Sequence, residues 1–133
     1  MYNSYLYLGR IMNIVVNGTD KFQDYATFMR AVVVAIDECL NPEDKKINLY
    51  SVGGYKTNQF TAEFINRSER YLKQKGIRPR FMIIPKRDAV EKFDEYDFDM
   101  VLFLSGKKET PEVLDNLVGA AQARDVDVRI YKV

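Results

Sequence analysis

The chain has 133 residues, of which 47% are hydrophobic and 29% charged, with a formal net charge of +1. That length suits one domain with one core, and the near-neutral charge predicts neither a strong nucleic-acid signal nor an anionic-membrane footprint. Histidine is absent and Cys39 is the single cysteine, which excludes an internal disulfide, a Ser-His-Asp triad and a histidine- or cysteine-rich metal centre.

The start, Met1 to Ile11, carries Tyr2, Tyr5 and Tyr7 and lacks the charged-then-apolar order of a secretory signal. It reads as an added edge strand or as a loose arm open to a protein partner or a second copy of the chain. Residues 12–133 read as the domain proper. No apolar run reaches the roughly 18 residues that a membrane span needs, so no membrane association is expected. The lone cysteine fits a reducing, cytoplasmic setting.

Asn13–Asn17 is a short apolar run stopped by Gly18, the signature of a buried strand. Asp24 is placed to cap a helix whose inward stripe is Tyr25, Phe28, Met29, Val32, Val33, Ile36 and Leu40, ending at Asn41-Pro42. Ile47–Val52 is the second strand, broken by Gly53-Gly54. Thr57 or Asn58 then caps a helix to about Lys75, with Phe60, Phe64, Ile65, Tyr71 and Leu72 inward and Gly76 after its end. Arg80–Ile84 is the third strand, stopped by Pro85, and Lys86–Asp97 reads as a short helix or an irregular crossover. Met100–Leu104 is the fourth strand. Thr110-Pro111-Glu112 resembles a cap, a first-turn proline and an early acid, opening a helix with Val113, Leu114, Leu117, Val118 and Ala121 inward. Val126–Val133 closes the chain as a fifth strand.

Helices alternating with short apolar strands favour an α/β fold, a Rossmann-like doubly wound sheet of about five parallel strands, ordered 3-2-1-4-5. In such sheets ligands bind beyond the strand C-termini, near the reversal of strand order. Three glycine-containing loops point there. They hold Asn17, Gly18, Thr19 and Asp20; Gly53, Gly54, Tyr55, Lys56, Thr57 and Asn58; and Ser105, Gly106, Lys107, Lys108, Glu109 and Thr110.

Glycines allow close backbone approach, and free helix-start N–H groups with nearby lysines suit a phosphate. Tyr55 is placed to stack on a base. Asp20 can accept from a ribose hydroxyl, help hold magnesium or activate water, and Glu109 is the other weak catalytic candidate. Against each stands a plainer role. Gly53-Gly54 is a common turn, Lys107-Lys108 a solvated loop, Thr110 a cap, and Glu63–Arg67 an ordinary surface pair. Neither GxxxxGK[ST] nor GxGxxG occurs.

Gly18-Thr19-Asp20 with Phe22 and Asp24-Tyr25, and then Gly53-Gly54-Tyr55-Lys56-Thr57-Asn58-Gln59, resemble two elements of the SLOG superfamily. This is the Rossmann-like group that includes Smf/DprA and LOG proteins, and the likeness is nearest to its small YspA-like bacterial and phage branch. The likeness covers about Met12 to Val133. Asp20 stands where that family usually has arginine, Thr57 and Gln59 replace its glycine and aspartate, and the LOG Pro-Gly-Gly-x-Gly-Thr-x-x-Glu motif is unmatched. The resemblance implies binding of nucleotides or nucleotide-derived signals, sometimes with N-glycosidic cleavage. The expectation is therefore a domain that senses or sequesters a small phosphate-bearing nucleotide derivative. It requires no cofactor, although Mg2+ can accompany the phosphate. A structural or interaction module with a degenerate site is the alternative, and a nucleotide hydrolase a further one.

Overall fold

The computed structural model describes residues 11–39, 46–109 and 111–133. The expectations for the tyrosine-rich start before Ile11, for the end of the first helix at Asn41-Pro42 and for Thr110 lie outside the described residues.

Five parallel strands form one sheet: β1 (Ile11–Gly18), β2 (Lys46–Gly53), β3 (Arg78–Ile83), β4 (Met100–Ser105) and β5 (Asp127–Lys132), in the order β3-β2-β1-β4-β5. The doubly wound order expected from the sequence is the one observed. The register sets Val16 beside Ser51 and Leu102, and Gly18 beside Gly53 and Leu104. The C-terminal ends of β1, β2 and β4 therefore share one rim. Every residue of β4 is buried, as expected of a central parallel strand covered on both faces.

Alternation along the strands divides the core in two. Ile14 and Val16, Ile47 and Leu49, and Met100, Leu102 and Leu104 face α1 (Tyr25–Cys39), α2 (Tyr55–Arg67) and α3 (Glu69–Gln74). Val15, Tyr50, Val52 and Val101 face α4 (Lys86–Glu91), α5 (Phe93–Tyr96) and α6 (Asn116–Ala123). Phe60 of α2 meets Phe22 and Phe28 at ring-centroid distances of 6.2 and 5.7 Å, so one aromatic cluster seats both long helices on β1 and β2. Among the described residues no helix is long and apolar enough to cross a membrane.

Several boundaries differ from the sequence reading. Asp24 caps α1 as expected, with Oδ1 accepting from the Thr27 N–H at 3.0 Å. Met29, expected inward, is 39% exposed. The second helix begins at Tyr55, ahead of either expected cap. Gly53, at φ 108°, turns the chain directly into it, and Gly54 is an N-cap without a side chain. That helix also divides at Ser68 into α2 and α3. Gly76 terminates α3 in the left-handed region, at φ 72°, as expected.

The largest correction follows β4. Pro111 does not open the final helix. Glu112–Leu114 is a single 3-10 turn, and α6 starts only at Asn116 because Asp115 caps it, accepting from the N–H groups of Leu117 and Val118. Val113 and Leu114, expected in the core, are consequently 74% and 68% exposed.

Candidate functional site

Strands β3-β2-β1 run to one side of the sheet and β4-β5 to the other, so the order reverses between β1 and β4. Above that reversal lies a cleft of about 360 Å³, lined by Asn17, Gly18, Thr19, Asp20, Gly53, Lys86, Phe103, Glu109, Pro111, Leu114, Asp115 and Asn116. Its size is at the small end of the range for ligand sites, about 300–1,000 Å³. Its position is where open α/β sheets bind ligands.

The glycines of the first two loops serve mainly to let the loops touch. A Cβ on Gly18 would lie 2.0 Å from Thr57 Oγ1, and one on Gly53 would lie 2.3 Å from the Gly18 carbonyl oxygen. Thr57, one of the two expected caps, is instead buried in α2 behind Gly18, and its hydroxyl makes no hydrogen bond among the described residues. Asn58, the other, accepts at Oδ1 from the Ser51 hydroxyl at 2.7 Å.

Carboxylates occupy the positions where a phosphate would be expected to sit. Glu109 is held by a short hydrogen bond from the Thr19 hydroxyl, by the Gly106 N–H at 2.8 Å and by the Lys21 N–H at 3.1 Å. Burial pushes its pKa up, but the bonds from Thr19, Gly106 and Lys21 outweigh burial and hold the carboxyl below its ordinary value. Asp115 Oδ1 accepts from the N–H groups that open α6 and from Asn17 Nδ2 at 3.0 Å, while its Oδ2 pairs with Lys86. Asp20 projects toward the start of α2, with Oδ1 2.9 Å from where a Gly54 Cβ would stand. Among the described residues, the cleft lining therefore holds Asp20, Glu109 and Asp115 against one cation, Lys86.

The expected binding residues thus separate. Gly18, Thr19, Asp20, Gly53 and Glu109 line the cleft. Gly54 abuts it through Asp20, and Gly106 supports it through Glu109. Ser105 is buried and donates to the Gly106 carbonyl. Lys56 lies 5.5 Å over the Phe60 ring, and Lys107 is exposed like its neighbour Lys108. Neither Lys56 nor Lys107 is among the lining residues. Tyr55 is 81% exposed and follows the rim. Glu63 and Arg67 form the expected surface pair at 2.6 Å.

Lys86, Asp115 and Asn116 were missed by the sequence reading, and Asn17 was undervalued. The Asp115-Asn116 step before an apolar run is itself a cap signal, but Thr110-Pro111 offered a competing one.

As a general base Glu109 is poorly suited, because its lowered pKa and occupied oxygens oppose proton uptake. Among the described residues no cluster of three or more metal-ligating side chains is gathered. The five-stranded parallel sheet is Rossmann-like and consistent with the broad group that includes the SLOG proteins, without singling out a branch. No family model and no curated protein matches the chain.

Proposed function

We propose that this chain is a binding domain for a nucleotide derivative, which enters the cleft above β1 and β4 with hydroxyl or amine donors leading. The observation that supports this reading is the charge of that cleft: among the described residues its lining holds Asp20, Glu109 and Asp115 and one cation, Lys86, with the Lys21 charge also acting on Glu109. Carboxylates accept hydrogen bonds and repel a bare phosphate. A ribose edge or a base amine suits such a lining, whereas a phosphate needs either a magnesium ion brought with it or a position outside the rim. Tyr55, exposed after Gly54, is available to cover a base.

Isothermal calorimetry with adenosine, guanosine and their 5′-monophosphates tests this. The nucleosides should bind more tightly than the monophosphates without magnesium, and Asp20→Asn should narrow that gap. Tighter binding of magnesium-free monophosphates would contradict the donor-led pose. Absence of any heat with folded protein would remove the ligand-binding reading.

A second reading is favoured by the exposure of Val113 and Leu114 beside the cleft, which suits contact with a protein partner or a second copy. Light scattering of the chain and of a Val113→Ser/Leu114→Ser variant tests self-association: a monomeric mass for both excludes it.

A further inference from the structure

The N-terminal ends of β1, β2 and β3, at the opposite pole of the sheet, carry a second cleft. It has a volume of about 260 Å³ and is lined by Ile11, Lys46, Ile47, Asn48, Arg78 and Arg80. In the β2–β3 register Lys46 stands beside Arg78, and Asn48 beside Arg80. Alternate residues share a face, so these four lie on the side of Tyr50 and Met82, which α4, α5 and their neighbours cover only further along. Adjacent strands are about 4.8 Å apart and alternate residues about 6.6 Å apart along a strand, so the three cationic side chains leave the backbone within about 8 Å and are long enough to converge on one small anion.

This cleft gathers two arginines and a lysine in one lining. Arg67, Arg87, Arg124 and Arg129 each pair with a carboxylate. Among the described residues, Lys46, Arg78 and Arg80 enter no ion pair. Among the described residues no carboxylate lines the cleft. Asp99, just before β4, accepts from the Asn13 N–H at 2.8 Å.

Asn48 is 7% exposed, and its Nδ2 donates to Asn13 Oδ1 at 2.9 Å. That bond fixes the amide and leaves Oδ1 without a hydrogen-bond partner among the described residues. A buried acceptor without a donor is unfavourable, so a ligand that donates there satisfies a group the free protein leaves unpaired. Tyr50 lies nearby. Burial raises its pKa, with Tyr96 adding to the rise and a side-chain hydrogen bond from Asn48 and the Arg80 charge opposing it.

We propose that this second cleft is an anion site for a phosphoryl group carried on a small hydroxylated molecule. Arg78 and Arg80 present planar donor forks that match phosphate oxygens, and Lys46 adds a point charge. Asn48 Oδ1 accepts a hydroxyl from the same molecule, and Ile11 supplies an apolar wall. The site is independent of the cleft above β1 and β4.

The test is a titration of the whole chain with inorganic phosphate, glycerol 3-phosphate and a single-stranded oligonucleotide, followed by backbone amide chemical shifts. Saturable shifts are expected at Lys46, Asn48, Arg78 and Arg80 with Thr19 unmoved, and glycerol 3-phosphate should bind more tightly than phosphate. Arg80 is exposed, so Arg80→Gln should leave the spectrum folded while weakening binding by about tenfold, the loss of one charged hydrogen bond. Three results would each overturn the assignment: no saturable shift at these residues, undiminished binding in Arg78→Gln/Arg80→Gln, or a response to the oligonucleotide alone.

Discussion

Asp115 ties three elements of the cleft together, and its substitutions separate a hydrogen-bonding role from an ionic one. Its Oδ1 receives two backbone N–H groups of α6 and Asn17 Nδ2, and its Oδ2 pairs with Lys86. Asp115→Ala removes a helix cap, which costs about 1 kcal/mol. It also strands the Asn17 amide, which is 1% exposed, at a cost of about 1–3 kcal/mol. The sum is about 2–4 kcal/mol.

Asp115→Asn keeps an acceptor at Oδ1 and loses only the pair with Lys86. The Lys86 side chain is 40% exposed, so it can turn to water, and the loss should stay under about 1 kcal/mol. Urea denaturation measures both. With a slope near 2 kcal/mol/M, the alanine variant should lower the midpoint by about 1–2 M and the asparagine variant by under about 0.5 M, with the slope unchanged. Equal losses in the two variants would refute the reasoning and make the ion pair the dominant contribution.

Four further outcomes follow from the same geometry. The Glu109 pKa is lowered in the folded state, so its contribution to stability is complete above the ordinary carboxyl value of 4.5 and is lost as pH falls through the lower folded value. The stability difference between the parent chain and Glu109→Gln, measured from pH 7 downward, should therefore shrink on acidification; a difference that is constant or grows contradicts the assignment. Gly53→Ala should destabilise by more than about 1–3 kcal/mol, since φ is 108° and the new Cβ meets the Gly18 carbonyl. Gly119→Ala, inside α6 with open space around it, should stabilise by about 0.5–1 kcal/mol, so thermal melts of the pair should move in opposite directions. Tyr25→Phe removes a buried hydroxyl that has no hydrogen-bond partner among the described residues and keeps the ring against Phe28 and Phe60, so its melting temperature should be unchanged or higher; a clear drop means that the hydroxyl has a partner in solution.

The sheet was legible because it is written in local patterns. Val15, Leu49 and Leu102 sit in short apolar runs bounded by Gly18, Gly53 and Gly106, and alternation with helical spacing in between leaves few other topologies. The start of α6 was not legible, because Thr110-Pro111-Glu112 carries a helix-start pattern as good as that of Asp115-Asn116. What decides between them is the tertiary bond from Asn17, 98 residues away. The cleft was half legible for a similar reason. Topology placed Thr19, Asp20 and Glu109 together, but the glycines that suggested a phosphate cradle are occupied by Thr57 and by their own neighbours. Lys56 and Lys107, adjacent in sequence to the glycine turns, do not line the cleft, whereas Lys86, which does, comes from the segment whose pattern was least clear.

The most direct test of the proposed binding site is amide chemical-shift mapping of the folded chain with adenosine and guanosine. The account predicts saturable shifts at Thr19, Asp20 and Asn116 and none at Arg78 or Arg80. Shifts confined to the Arg78–Arg80 end of the sheet, or spectra that do not change at saturating nucleoside, would contradict it.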